Sequence, residues 1–199
     1  MGITPIAIYH FTLEAIFLCW MAFAAVFLLR KRPPRAKESR RDHLSLLGMF
    51  LQGCAYWMVW GSTPALFHRT PVLPSAAAQL ALSIFSITLA IVSVWLVGAA
   101  VRTLGTQWAI TARLIEGHRL ITDGPYGFVR NPIYTGMFGM LVATGLAFGH
   151  WIQLIIGIVL FAIGLGIRVH SEEKLLRSAF GEEFEDYARR VPAVLPGIY

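Results

Sequence analysis

Five mainly apolar stretches alternate with polar segments along the chain. They cover residues 6–29, 44–60, 76–101, 133–148 and 151–169. A helix needs roughly 20 apolar residues to cross the hydrocarbon core of a bilayer. The first and third stretches are long enough to do so, whereas the second and fourth are short. The pattern predicts an all-α integral membrane protein with about five transmembrane helices.

Composition supports this class. Of the 199 residues, 56% are hydrophobic and only 14% are charged, and the mean hydropathy is +0.62. Soluble domains carry about 25% charged residues, so a soluble protein is excluded.

The two cysteines, Cys19 and Cys54, lie inside apolar stretches, which favours small core residues over a disulfide or a metal site. No metal site is expected. The first stretch has no charged segment before it, and is interpreted as an anchor rather than a cleaved signal peptide.

The basic residues cluster in three of the polar segments. Five crossings place all three segments on one side of the membrane, and an excess of Lys and Arg marks the cytoplasmic side. The N-terminus is therefore predicted outside. This distribution explains the net charge of +6 without nucleic acid, and contact with anionic membrane lipids is the expected role of the first cluster. The three clusters are Arg30, Lys31, Arg32, Arg35, Lys37, Arg40 and Arg41; Arg102, Arg113, Arg119 and Arg130; and Arg168, Lys174, Arg177, Arg189 and Arg190.

Short connections and glycines predict close packing of the last two spans. Only Gly149 and His150 separate them, so they should form a tight antiparallel hairpin. Glycines allow helix backbones to approach each other closely. Gly136 and Gly139 have a second possible role, which is to keep a gap open for the tail of a ligand. The glycines in question are Gly136, Gly139, Gly145, Gly157, Gly164 and Gly166.

After the fifth span the pattern becomes amphipathic. Leu176, Phe180, Phe184 and Tyr187 recur at helical spacing, and acidic residues fill positions between them. The pattern predicts a C-terminal amphipathic helix, interrupted at Gly181, which packs on the cytoplasmic face or covers a site there.

Candidate chemistry lies in a polar loop, HRLITDGPYGFVRNPIYTG at 118–136, and just after the fifth span. Irregular backbone at a bilayer is tolerated where it is buried in protein or lines a cavity. Pro132 is suited to the first turn of a helix, whose free N–H groups attract an anion. Arg168 and Glu172 are four residues apart and share a helix face. An arginine can hold a carboxylate, and a glutamate can accept from an ammonium group or from ribose hydroxyls. Together these features predict a cytoplasmic cofactor-binding loop.

The run LITDGPYGFVRNPIYTG, followed by RVHSEEKLLRSAFGEEFEDYARRVPAVLPGIY, resembles the isoprenylcysteine carboxyl methyltransferase family. This family belongs to a wider class of integral-membrane methyltransferases that includes phospholipid N-methyltransferases. The resemblance covers residues 104–199, which would form the catalytic core, with 1–103 as variable N-terminal spans of a single membrane domain. It implies S-adenosylmethionine as cofactor and a lipophilic methyl acceptor, such as an isoprenylcysteine-like carboxylate.

The resemblance also implies roles for individual residues. Arg168 matches the position associated with the acceptor, as a catalytic and substrate-binding residue. Asn131 departs from the family pattern, which commonly has histidine there, and this weakens transfer of the prenylcysteine substrate. The cofactor-binding positions are His118, Arg119, Leu120, Ile121, Tyr126, Asn131, Pro132, Ile133, Tyr134 and Glu172.

Other interpretations stay open at this stage. Methylation of a phospholipid, or of nitrogen or sulfur in a small molecule, is one alternative. A membrane NADPH-dependent reductase of the sterol-reductase type is another, although it needs basic and aromatic contacts that the sequence lacks. A small membrane scaffold would leave the polar loop unexplained. His10 and Glu14 share a face of the first span and are interpreted as an interfacial pair rather than a site.

Overall fold

The computed structural model describes residues 4–29, 38–41, 43–61, 73, 75–105, 113–115 and 119–195, with only the backbone described for 38–41 and 113–115. Helices dominate the described chain, which confirms the all-α part of the prediction. The elements are α1 (Pro5–Leu28), β1 (Glu38–Arg41), α2 (Leu44–Trp60), α3 (Ala76–Leu104), β2 (Arg113–Ile115), a 3-10 turn (Gly124–Gly127), α4 (Pro132–Phe148), α5 (Trp151–Phe180) and α6 (Glu182–Arg190).

Residues with special backbone preferences set the helix ends. Pro132 begins α4, where its missing N–H costs no hydrogen bond. Gly149 ends α4 in the left-handed conformation, with φ of 70°, and its N–H donates to the carbonyl of Gly145. Because α5 begins at Trp151 and α4 packs on it, the predicted hairpin is confirmed. Gly181, with φ of 54°, separates α5 from α6, as the amphipathic pattern predicted.

Helix α5 is longer than the fifth apolar stretch. It continues for 30 residues, from Trp151 to Phe180, so its apolar and amphipathic parts form one rod. Arg168 and Glu172, which the sequence places at the end of the fifth span, therefore lie on one continuous helix. This helix holds them at a fixed distance from its apolar part.

Helix α4 is the centre of the bundle. One core cluster joins it to α1 and α3 through Ile16, Val97 and Met140. A second cluster joins it to α2 and α5 through Leu141 and Phe161. The buried side chains on opposite sides of α4 thus tie all four other long helices to it, and its first turn lies next to the polar loop.

Glycines on α4 serve close packing. A Cβ atom at Gly136 would lie 2.4 Å from the Cγ2 atom of Val97, and one at Gly139 would lie 2.1 Å from the Oγ atom of Ser93. Helix α3 therefore occupies the space beside both glycines. The sequence left two roles open for these glycines, close helix packing or a gap for a ligand tail. The contacts show close packing, since α3 fills the space where a tail would lie. By contrast, nothing described lies within 4 Å of a Cβ atom at Gly166.

Three of the helices, α1, α3 and α5, are long and apolar enough to cross a membrane, whereas α2 and α4 are shorter apolar helices. The predicted stretches each correspond to a helix, with α5 extending well beyond its stretch, but length alone supports three spans rather than five. One element that the sequence did not predict is a two-stranded antiparallel ribbon of β1 and β2, in which Arg41 pairs with Arg113. This ribbon brings two of the basic segments to the same end of the bundle.

Candidate active site

Three side chains meet where the apolar part of α5 ends. The guanidinium carbon of Arg168 lies 4.9 Å from the centre of the Tyr134 ring, a cation–π contact. A guanidinium nitrogen of Arg168 lies 3.7 Å from a carboxylate oxygen of Glu172. The hydroxyl of Tyr134 donates to the same oxygen. We call these three residues the cation–carboxylate cluster.

The sequence positions this cluster through helix geometry. Arg168 and Glu172 are one turn apart on α5, and Tyr134 lies in the first turn of α4. Arg168 is 6% exposed, whereas the side chain of Glu172 is 28% exposed. The cluster therefore has a buried cation towards the bundle and a carboxylate that a polar ligand can reach from solvent.

A second ion pair, one residue further along α5, has a structural role. The Nε and Nη2 atoms of Arg130 donate to one oxygen of Glu173, at 3.0 and 2.9 Å. The Nη1 atom of Arg130 donates to the carbonyl oxygens of Ala188, at 2.8 Å, and Val191. Both charged side chains are about nine-tenths buried. Arg130 thereby fastens the end of α6 to the start of α4.

The chain after α6 also covers the start of α4. The backbone N–H groups of Arg130 and Asn131 donate to the carbonyls of Pro192 and Ala193, at 2.8 and 3.0 Å. The amide of Asn131 donates to Ala193 as well, and the hydroxyl of Thr135 donates to Val194. We call residues 191–194 the C-terminal clasp.

The clasp occupies the backbone N–H groups just before α4. The N–H groups of Arg130 and Asn131, which precede α4, are already bonded, so they cannot receive an anion. Within the first turn, α4 itself supplies no acceptor for the N–H groups of Ile133 and Tyr134, so the predicted anion site rests on these two groups. The side chain of Asn131 is bonded to the clasp through its Nδ2 atom.

The 3-10 turn joins the loop to α6. The hydroxyl of Tyr187 donates to the carbonyl of Tyr126 at 2.6 Å. Burial raises the pKa of Tyr187 to about 12, since the nearby Arg130 only partly offsets it. Burial, with the nearby negative charge of Glu172, also raises the pKa of Tyr126 far above its usual value. Both phenols therefore stay protonated at neutral pH.

The predicted cofactor residues lie on the polar loop, at the start of α4 and on α5, and among those described Tyr134 and Glu172 are in direct contact. Leu120 is half-buried against Phe184 of α6, Arg119 is exposed, and Ile121 and Tyr126 follow on the same loop. The side chain of Ile133 packs against the core, so only its backbone faces the loop side. His118 lies outside the described residues.

Sequence reasoning chose Glu172, four residues from Arg168, and assigned no role to the neighbouring Glu173. Glu173 belongs to the Arg130 pair, whereas Glu172 belongs to the cation–carboxylate cluster. Side chains at adjacent helix positions point about 100° apart, so helix geometry already indicates that Glu172 and Glu173 face different neighbours. The contacts of the C-terminal clasp could not be predicted from the sequence, because they are made by backbone carbonyls, which every residue has.

The cluster can bind two kinds of polar group. Arg168 can hold a carboxylate, and Glu172 can accept hydrogen bonds from an ammonium group or from hydroxyls. Among the described residues, no group of three or more His, Cys, Asp or Glu side chains could hold a metal ion.

Comparison with known proteins places this site inside a region that matches a protein family. A family model described as phospholipid methyltransferase matches residues 81–183, from within α3 to the start of α6. The matched region contains the polar loop and the whole cation–carboxylate cluster.

Individual relatives match stretches of 88 to 117 residues. The protein-S-isoprenylcysteine O-methyltransferase of Schizosaccharomyces pombe is 33% identical over 88 residues, which is 44% of this chain and 37% of that protein. Protein-S-isoprenylcysteine O-methyltransferase B of Arabidopsis thaliana is 32% identical over 117 residues, 58% of this chain and 59% of that protein. The nickel-cobalt-cadmium resistance protein NccN of Alcaligenes xylosoxydans xylosoxydans is 34% identical over 113 residues, 55% of this chain and 52% of that protein. The matches thus span between about a third and three-fifths of these relatives.

Proposed function

The chain belongs to the phospholipid methyltransferase family, and on that premise we propose that it transfers a methyl group from S-adenosylmethionine to a lipophilic or amphiphilic acceptor at the cytoplasmic face of a membrane. The observation that carries the proposal is the cation–carboxylate cluster of Arg168, Tyr134 and Glu172. It places a buried cation and a reachable carboxylate side by side at the end of an apolar helix.

The residues present fit the cofactor. S-adenosylmethionine carries an ammonium group, a carboxylate and ribose hydroxyls, and when bound it supplies a methyl group on a sulfonium sulfur that leaves as a neutral thioether. Glu172 would accept from the ammonium group or the hydroxyls, and the N–H groups of Ile133 and Tyr134 would hold the carboxylate. The loop residues His118, Arg119, Leu120, Ile121 and Tyr126, with Asn131 and Pro132, would complete the binding surface.

The acceptor would be held by Arg168. Its guanidinium is buried and is fixed between the Tyr134 ring and Glu172, so a bound carboxylate has one orientation. Orientation and exclusion of water are the main contributions that a protein makes to such a transfer. A carboxylate needs no proton removed before it reacts, whereas an amine or thiol does. Glu172 already accepts from Tyr134 and contacts Arg168, which favours a carboxylate oxygen as the acceptor atom.

The arrangement gives less support to a nicotinamide cofactor. NADPH carries several phosphates, which require free cationic groups. Near the cluster, Arg130 donates to Glu173 and to two carbonyls, and Arg168 contacts Glu172 and Tyr134. Arg130 is therefore engaged, and Arg168 alone in the cluster supplies too few cations for several phosphates.

The proposal predicts ester formation on tailed carboxylates. Detergent-purified protein is incubated with methyl-labelled S-adenosylmethionine and single-chain carboxylates of increasing tail length, and with the amine of matched length. We expect base-labile label, typical of a methyl ester, that increases with tail length, and little label on the amine. Label that appears only on amines, or only on short water-soluble acceptors, would contradict a tailed carboxylate as the acceptor.

A further inference from the structure

A groove of about 560 Å³ lies at the end of the bundle opposite to the cation–carboxylate cluster. It is formed by α1 together with the last residues of α2 and α4, Trp60 and Phe148. Tyr134 of the cluster lies in the first turn of α4, about 21 Å from Phe148 along the helix axis. Small-molecule sites have volumes of about 300–1,000 Å³, so this space, which we call the α1 groove, is a separate candidate site.

Glu14 is the one charged side chain among the described residues that line the α1 groove. It lies roughly 14 Å along α1 from Pro5, and α1 is long and apolar enough to cross a membrane. The described part of the chain offers its carboxylate no hydrogen bond or ion pair, and His10, one turn earlier, contacts the ring of Tyr9 instead. A carboxylate within a span is costly unless a partner compensates its charge. A cationic ligand would supply that partner.

Aromatic rings form the walls around this carboxylate. Phe17 is three residues from Glu14, on the same face of α1, and its side chain is 55% exposed. The rings of Trp60 and Phe148 meet edge to face, with their centroids 5.3 Å apart. Ring faces attract a cation, and the face of tryptophan does so most strongly. The carboxylate and the rings together therefore favour an ammonium group over an anionic or uncharged one.

The tryptophan wall is held in place by contacts within the bundle. The ring of Trp60 packs on that of Trp20, with centroids 5.7 Å apart. The indole N–H of Trp20 donates to the hydroxyl of Thr144 at 3.0 Å, and this hydroxyl donates to the carbonyl of Met140 at 2.7 Å. A ligand would therefore find this wall of the groove already formed.

We propose that the α1 groove binds a single-tailed cationic amphiphile, with its ammonium group beside Glu14 and its alkyl tail along Leu13 and Leu18. Both leucines line the groove, and Leu18 is 67% exposed, so the groove is open along this side of α1. An anionic amphiphile would be repelled by Glu14, and an uncharged one would leave the carboxylate without a partner. A phospholipid with an ammonium head group would bring its phosphate to a lining that has no cation. The inference goes beyond the proposed function, because the groove does not contact the cation–carboxylate cluster.

The test is a titration of the purified chain with tetradecylammonium in a non-ionic detergent, followed by native mass spectrometry. Tetradecyl sulfate and tetradecanol carry the same tail with an anionic and an uncharged head. We expect one ammonium amphiphile per chain, and binding of the other two weaker by about tenfold or more. Glu14→Gln should weaken the binding of tetradecylammonium about ten- to a hundredfold, the value of one charged hydrogen bond. The control Glu182→Gln, at an exposed position at the start of α6, should bind like the parent.

A second pair of variants tests the aromatic wall. Phe17→Leu keeps an apolar side chain but removes the ring, and should weaken binding about two- to fivefold, the value of an exposed cation–π contact. Phe11→Leu is its control, because Phe11 is 65% exposed on the same helix and does not line the groove.

Three results would overturn the inference. They are equal binding of the three amphiphiles, parental affinity in Glu14→Gln, and a dimer of the chain that binds no amphiphile, because a second copy would then cover the groove. If Glu14→Gln does not fold, equal affinities of Phe17→Leu and Phe11→Leu overturn it instead. Glu14→Gln should bind S-adenosylmethionine like the parent, so the inference and the proposed function can fail independently.

Discussion

Replacing Arg168 with leucine is expected to lower the turnover of methyl transfer by about a hundredfold, because a carboxylate that is no longer oriented loses its alignment with the methyl group. Arg168 is buried, and it packs on the Tyr134 ring beside Glu172. Cofactor affinity should change less than turnover, since Tyr134 still donates to Glu172. The measurements are kcat with a tailed carboxylate and the dissociation constant of S-adenosylmethionine.

Two variants accompany this one. Arg168→Lys keeps the charge but loses the planar fork that binds a carboxylate at two points, so an intermediate turnover is expected. Arg102→Leu is the control, because Arg102 donates to Gly98 of its own helix and lies outside the cluster. Turnover of Arg168→Leu equal to that of Arg102→Leu would mean that Arg168 only marks the membrane boundary.

The second large effect is expected at the Arg130–Glu173 pair. Removing one partner of a buried ion pair costs roughly 3–5 kcal/mol when the other charge is left unpaired. Glu173 would keep its contact with the half-exposed Arg177, at 3.1 Å, so the loss should lie near the lower of these values. Arg130→Leu also leaves the carbonyls of Ala188 and Val191 without their donor. We expect a loss of that size in the free energy of unfolding, measured by denaturant titration in detergent, and faster proteolysis at Arg189 and Arg190.

The control for this variant is Arg189→Leu. Arg189 pairs with Asp186 on the surface, and both side chains are more than half exposed. Exposed pairs contribute about 0–1 kcal/mol, so this change should be nearly neutral. If Arg130→Leu is as stable as Arg189→Leu and its C-terminus is equally protected, the clasp does not depend on Arg130.

The helices were predictable because their signals are local. Apolar runs, the proline at 132 and the glycines at 149 and 181 give the observed helix ends. The continuation of α5 to Phe180 was not predicted, because hydropathy falls after the apolar part although helix propensity does not. The apolar pattern predicted five spans, but α2 and α4 are each 17 residues long, which is short for a helix that crosses a bilayer.

The candidate site was predictable only where side-chain spacing encodes it. Arg168 and Glu172 share a face because they are four residues apart, and Tyr134 joined them through the family resemblance. The clasp was not predictable, because it bonds through backbone carbonyls that any residue supplies.

Calorimetric titration of the detergent-purified protein tests the central claim most directly. We predict that S-adenosylmethionine binds and NADPH does not, and that Glu172→Gln weakens the binding of S-adenosylmethionine about ten- to a hundredfold, the value of one charged hydrogen bond. Glu183→Gln, at an exposed position on α6, should bind like the parent. Binding of NADPH without any response to S-adenosylmethionine would contradict the account.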